Sequence, residues 1–528
     1  MSKNKTVIIS TISTLVIGVI LYYFILPPIN LSSPGFWSFL ITLVVIFSIS
    51  SFVLSIDTRG RLTKLPKIPM YCFGGVICLI AIIVLMNFIL SPLFQASSYA
   101  KRIDINETAK FSEDIAQVNF QALPLLDKDS SQKLGDRVMG QMPELVSQFA
   151  VSNLYTQINY NDKIIRVTPL EYEDWIKYFS NRKEGVKGYI SVDSVTGEST
   201  LTKLEKGMKY LPSAMFGEDL YRHLRLKYPF DVFEEENFEI DNEGNPYWVV
   251  PIMKYTGVGL KRDVSGVVTV NPINGATKKY SVKDVPTWID HVYNADVIIE
   301  QVDNWGQYRG GFLNSLFGQK NVVHTTTGYN YTTMNDDVYL YTGVTSAVAD
   351  EANLGFIMSN MRTKETKFYS VPGAQEASAM ASAEGQVQQM KYRSTFPLLI
   401  NLNDKPTYLV SLKDNAGLVK MYGFVDVADY QKVVVTDAAK GIEEAAKNYL
   451  GGAISSDDIL LEKVIQVANI DDAIIDGNSY YYITDTAGKR YSVSLKTNKD
   501  LLPFVSDGDK LTISYHKEQP VTLIVTIK

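Results

Sequence analysis

Three apolar runs without a single charge, Val7–Leu26, Phe36–Ile56 and Met70–Leu90, constrain this chain more than any other feature. Each is 20 or 21 residues long, and about 20 helical residues cross the ~30 Å hydrocarbon core of a bilayer. A central Leu, Ile, Phe or Val favours insertion by roughly 0.3–0.6 kcal/mol, whereas one central charge opposes it by about 3 kcal/mol. The first run is longer than a signal-peptide core and leads into Pro27-Pro28, with no small-residue cleavage site. Three spanning helices are therefore expected, with membrane lipid as the partner of residues 7–90.

The flanks set the orientation. Lys3 and Lys5 precede the first run, and Arg59, Arg61, Lys64 and Lys67 lie between the second and third, while Pro27–Gly35 carries no charge. The positive-inside rule places the N-terminus and the 57–69 loop in the cytoplasm. An odd number of crossings puts residues 95–528 on the outer side of a plasma membrane. No Asp, Glu, Lys, Arg or His lies inside a span, so a proton or ion path lacks its usual groups. Gly18, Gly74 and Gly75 suit close helix packing.

Residues 1–94 hold seven charges that sum to +5, so the other 434 residues carry −11 of a chain whose net charge is −6. An acidic bulk argues against nucleic acid, which needs clustered Lys and Arg. Both cysteines, Cys72 and Cys78, sit in the third run. The outer region therefore has no disulfide and no thiolate metal site.

Residues 95–153 read as a helical connector. Its amphipathic helix is expected over Ser130–Phe149, with Asp129 and Ser130 suited to the N-cap and Pro143 able to split it. Beyond it one strand pattern returns four times. Its members include Gly188–Asp193, Gly266–Asn271, Gly355–Met358 and Lys420–Asp426. Alternating apolar and polar residues mark half-buried antiparallel strands, and Thr196-Gly197 and Asn274-Gly275 supply the positive φ of tight turns. Helices are expected at Ser213–Tyr228, Ala295–Gln307, Glu376–Lys391 and Ala438–Leu450. The tail offers five short strands separated by Gly-containing turns, the rhythm of a small barrel.

The steps Val192-Asp193…Thr196-Gly197 and Val270-Asn271…Asn274-Gly275 resemble those of the PepSY domain family. The third and fourth copies depart from it, with Arg362-Thr363-Lys364 and Asp429-Tyr430 where glycine is expected. The whole arrangement also resembles a group of multi-pass membrane proteins of Gram-positive type. The resemblance implies extracytoplasmic modules that bind or restrain envelope enzymes. The expected fold is α+β: three transmembrane helices (1–94), the connector (95–153), PepSY-like modules at 154–229, 230–308, 309–391 and 392–455, and an OB-like or SH3-like barrel at 456–528.

Catalytic signatures are sparse. His223, His291, His324 and His516 have no second histidine at metal-ligand spacing. Ser130-Ser131-Gln132-Lys133 matches SxxK, but its companion motifs are missing and a helix cap explains the serine. Asp127-Lys128-Asp129 begins like a calcium loop but has Gln132 and Val138 where Gly and Glu are needed. Asp457-Asp458, Asp471-Asp472 and Asn335-Asp336-Asp337 read as caps and turns. No glycine-rich phosphate loop occurs, and no cofactor or metal is expected.

Two stretches suit recognition. Trp305, Tyr308, Arg309, Phe312 and Phe317 combine aromatics and an arginine, the composition of an interface anchor. Thr325–Thr333 offers hydroxyls and rings, which also describes an ordinary Thr/Tyr strand. The expected role is non-enzymatic: binding, scaffolding or restraining an envelope protein or cell-wall polymer. The rivals are an envelope hydrolase with a site assembled between modules around His291 or His324, and a sensor or assembly subunit acting through its membrane helices.

Overall fold

The computed structural model describes residues 3–55, 67–120, 123–161, 163–334, 336–347, 352–451, 461–475, 478–516 and 518–528. Arg59, Arg61, Lys64, Asp457 and Asp458 lie outside them. The three apolar runs are helices, Lys3–Ile25, Pro34–Val53 and Lys67–Ile89. All three are long and apolar enough to cross a membrane. The first packs on the second and the second on the third, with Gly18 facing Leu43 across the first contact.

Beyond the spans stand four sheets that share one antiparallel strand order. In the first, Phe149–Val151 and Thr156–Tyr160 together pair with Lys163–Tyr172, which is followed by Val186–Asp193 and Ser199–Met208. The second repeats this with Val232–Phe233 and Asn237–Ile240 beside Pro246–Thr256, then Leu260–Val270 and Thr277–Ser281. The third has Val323–Thr325 and Asn330–Met334 beside Asp337–Ser346, then Ala352–Asn360 and Thr366–Tyr369. In the fourth, Arg393–Ser394 and Leu398–Leu402 flank Lys405–Lys413, followed by Val419–Asp426 and Val433–Asp437. A broken outer strand thus precedes a three-strand meander each time.

The last turn of each meander uses one device. The carboxylate or amide oxygen of Asp193, Asn271, Asn360 and Asp426 accepts backbone N–H bonds from the residues two and three positions on. This Asx turn is what Asp and Asn side chains favour. Gly197 (φ 76°) and Gly275 (φ 71°) then take the left-handed position, and Lys364 (φ 64°) takes it in the third sheet.

A helix precedes each sheet: Lys128–Gly140, Leu220–Lys227, Ala295–Tyr308 and Glu376–Gln386. The first is shorter than its apolar pattern predicts. Asp127, not Asp129 or Ser130, is its N-cap and accepts the Ser130 N–H at 2.9 Å. Pro143 opens a separate turn, as its missing N–H favours. Ile442–Tyr449 adds a helix on the fourth sheet.

The half-buried strands expected from alternation become fully covered where sheets stack. Ile164, Ile165, Val167 and Leu170 of one strand are all buried. Continuous cores join the first sheet to the second and the second to the third. The connector closes the set by running across the third and fourth sheets before reaching the first. Ile105–Asn106 pairs in parallel with Thr366–Lys367. The Val118 N–H then donates to Asn401 O at 2.9 Å, and the Leu126 N–H to Ser194 O at 3.1 Å.

The tail forms a six-stranded sheet whose first strand, Leu461–Ile475, is longer than expected. Asp471 and Asp472 lie inside it, opposite Tyr482 and Tyr481, and not in a turn. The terminal stretch pairs with Arg490–Ser492 at one end and Ile513–Ser514 at the other, linking both edges of the sheet.

Candidate functional site

The second sheet and its helix sit directly on one end of the spans. Arg225 Nε donates to Leu26 O at 2.9 Å, and Arg222 lies 4.0 Å from the Tyr23 ring centroid. Both cations face the C-terminus of the first span, where the helix dipole favours them. The Ile29 N–H donates to Pro229 O (2.7 Å) and the Gly259 N–H to Ser32 O (2.9 Å). At the third span, Asn87 bonds both the N–H and the carbonyl of Val258. The folded body therefore packs directly against the Pro27–Gly35 link.

Around this contact the body exposes large apolar side chains. Trp175, Ile176, Phe179 and Phe216 are roughly half exposed, and Phe179 packs on both Trp175 and Phe216. The Phe216 carbonyl accepts from Arg222, which ties this patch to the end of the first span. Phe230 is 65% exposed, and its carbonyl accepts from Asn30 in the interhelical link.

The five residues singled out in the sequence separate. Trp305 is 9% exposed, packed between the second and third sheets with Arg309 above its ring at 4.5 Å. Tyr308 packs edge-on against Tyr99. Arg309 donates to Asn321 O and to Glu107. Phe312 is half-buried, whereas Phe317 is 83% exposed and forms an apolar tip with Leu313 and Leu316. Gly74 and Gly75 meet nothing within 4 Å.

The histidines take structural positions. His223 is half-buried, with Nε2 2.8 Å from Gly275 O and its ring against Tyr210. His324 is exposed on its strand. His291 is buried where the first three sheets meet, and its Nε2 lies 2.7 Å from Gln157 O. Burial lowers its pKa to about 4, so the ring is neutral and Nε2–H is the donor. Beside it Glu239 accepts the N–H groups of Asp290 and His291, and Asp290 accepts the Asn159 N–H at 2.7 Å. Burial raises Glu239 to about 7; burial and then the Glu239 charge raise Asp290 as well.

Two clefts flank this cluster and share Tyr329 and Tyr331. One, of about 290 Å³, is lined by His291, Glu234, Glu235, Glu236 and Asp296. The other, of about 410 Å³, lies between the first, third and fourth sheets and contains Arg166, Tyr155, Phe396 and Ser411. The SxxK serine and lysine do not form a dyad. Ser130 Oγ is buried without a partner, and Lys133 Nζ donates to Ala416 O instead. Among the described residues, no group of three or more His, Cys, Asp or Glu is placed to hold a metal.

Arg166 is the residue that sequence reading passes over. Its signal is a lone charge in the run Ile164-Ile165-Arg166-Val167-Thr168, apolar on both faces of a strand. Such a charge is either paired or costly.

No protein-family model and no curated protein matches the chain. Among solved structures it has a likeness to a monoclinic crystal form of an ACO/RPE65 chimera, 9% identical over 64% of this chain, with a TM-score of 0.13. The chain spans 59% of that protein's length, and so low a score carries no argument.

Proposed function

We propose that this is a membrane-anchored, extracytoplasmic binding or scaffold protein of the cell envelope, whose four sheets are PepSY-like units capped by a small barrel. The carrying observation is the docking of the second sheet onto the ends of the first and third spans through Arg225–Leu26 and Asn87–Val258. A body held by backbone-directed bonds at both spans keeps a fixed height and attitude above the bilayer. That serves recognition of a neighbour in the same membrane layer. Lys5 and Lys67, at the ends of the first and third spans away from the body, support an outward orientation.

On this reading the aromatic patch of Trp175, Phe179 and Phe216 rests in the lipid headgroup layer, where Trp and Phe are favoured. The apolar tip of Leu313, Leu316 and Phe317 is the surface offered to an envelope partner. Crosslinking from Phe317→Cys in intact cells, followed by mass spectrometry of captured proteins, tests this. A defined envelope protein should recur, and its yield should fall when Leu313 and Leu316 are changed to Ser. Capture unchanged by those substitutions contradicts the assignment.

A second reading, an envelope hydrolase, has one observation in its favour: His291 and three glutamates line one cleft. Its weakness is that His291 Nε2 is spent on Gln157 O and its low pKa makes it a poor base at neutral pH. Hydrolysis of a wall polymer by the purified full chain, lost in His291→Gln, would establish it.

A further inference from the structure

We infer that the cleft between the first, third and fourth sheets is a binding site for a small organic anion, a carboxylate on an apolar or aromatic body, held by Arg166. This rests on the binding reading above and names a ligand class for it.

Arg166 is 6% exposed, deep in the strand Lys163–Tyr172. Its Nε has no hydrogen-bond partner, and among the described residues no carboxylate lies within ion-pair distance of its guanidinium. The carboxylate whose charge acts on it is Asp127, which is already committed to Lys413 and to the Ser130 N–H. A buried guanidinium without a counter-charge is a strongly unfavourable arrangement unless something supplies an anion. Burial lowers its pKa to about 10, which still leaves it charged at neutral pH.

The surroundings fit such an anion. The cavity, about 410 Å³, is in the size range of small-molecule sites. A guanidinium presents a planar fork that a carboxylate meets with two parallel N–H···O bonds. Tyr155, whose hydroxyl also lacks a partner, lines the same cavity. Phe396, Leu398 and Leu409 supply an apolar wall, and Tyr329 and Tyr331 supply rings. Three sheets contribute to the lining, so an occupant would brace them against one another.

The test uses the purified full chain in detergent, with benzoate, benzamide and inorganic phosphate as probes, read by thermal shift and by direct titration. Benzoate should raise the melting temperature in the millimolar range, and the uncharged benzamide should not. Arg166→Met should weaken benzoate at least tenfold. Without ligand this variant should melt at or above the wild-type temperature, because a stranded charge has been replaced by an apolar group of similar length. Arg166→Lys keeps the charge but loses the fork, and should also weaken benzoate about tenfold. Equal response to benzoate in wild type and both variants, or no response in wild type, overturns the inference. A response to phosphate exceeding that to benzoate overturns the carboxylate class. Failure of these titrations leaves the crosslinking result at Phe317 untouched, so the two readings fall separately.

Discussion

Lys364 Nζ stands 3.0 Å from Asp263 Oδ1, joining the last turn of the third sheet to a central strand of the second. The same ammonium reaches Gln301 Oε1 at 3.1 Å and lies over the Tyr293 ring. This explains why a lysine occupies a left-handed position that glycine fills in the first two sheets. The turn tolerates the strain because its side chain locks two sheets together.

Lys364→Gly relieves roughly 1 kcal/mol of backbone strain. It also removes the closer ion-pair partner of Asp263, whose side chain is only 22% exposed, leaving Lys254 at 3.9 Å and the Gln301 amide at 3.1 Å. Removing one partner of such a pair outweighs the relief, and a net loss of about 2 kcal/mol is expected. A double-mutant cycle with Asp263→Asn should give a coupling of about 1 kcal/mol or more. Additive effects would show that the pair does not join the sheets.

Asp127, inside the connector, does two things at once: it caps the helix Lys128–Gly140 and pairs with Lys413 of the fourth sheet. Asp127→Ala should lose about 1 kcal/mol of capping and about 3 kcal/mol from leaving Lys413 buried alone. Chemical denaturation measures the total. A loss below about 1 kcal/mol would mean that the connector does not hold the first sheet to the fourth.

The buried carboxyl of Glu239 gives a pH signature. Its folded pKa is about 7, above the ordinary 4.5. The folded state therefore binds its proton more tightly, a contribution complete below about pH 4.5 and lost as pH rises through 7. His291 works in the opposite sense: its folded pKa of about 4 contributes stability above pH 6.5 that is lost as pH falls through 4. Comparing wild type with Glu239→Gln reads the first effect together with the release of Asp290 from the Glu239 charge. Between pH 8 and pH 5 the wild type should gain up to about 3 kcal/mol relative to the variant. A difference constant with pH contradicts the burial of that carboxyl.

Much of this architecture is written locally. The spans are visible as charge-free runs, and the Asx turns as Asp or Asn after a strand. Long-range choices are not. The parallel pairing of Ile105–Asn106 with Thr366–Lys367 involves two residues 261 positions from their partners, with no local period to announce it. Trp305 and Phe317 look equally suited to an interface in sequence, yet one is core and the other an exposed tip. Only the packing of neighbouring sheets decides between them. Arg166 is legible as an odd charge in an apolar strand, but its lack of a partner depends on every surrounding element.

Membrane contact by the aromatic patch is tested by depth. A nitroxide attached at Phe179→Cys, with Cys72 and Cys78 replaced by Ser and the protein in lipid nanodiscs, should collide more with oxygen than with a water-soluble nickel chelate. Phe504, 78% exposed on the short 3-10 helix Leu502–Phe504 beside the C-terminal sheet, should show the reverse. Equal nickel accessibility at both sites would place the patch in water.

The most direct test of an outward body anchored by three spans is labelling in intact, wall-stripped cells with a membrane-impermeant maleimide. Phe504→Cys, in a background lacking Cys72 and Cys78, should label without lysis, and Ser2→Cys only after it. Labelling of Ser2→Cys in intact cells, with Phe504→Cys protected until lysis, would reverse the orientation and remove the envelope role with it.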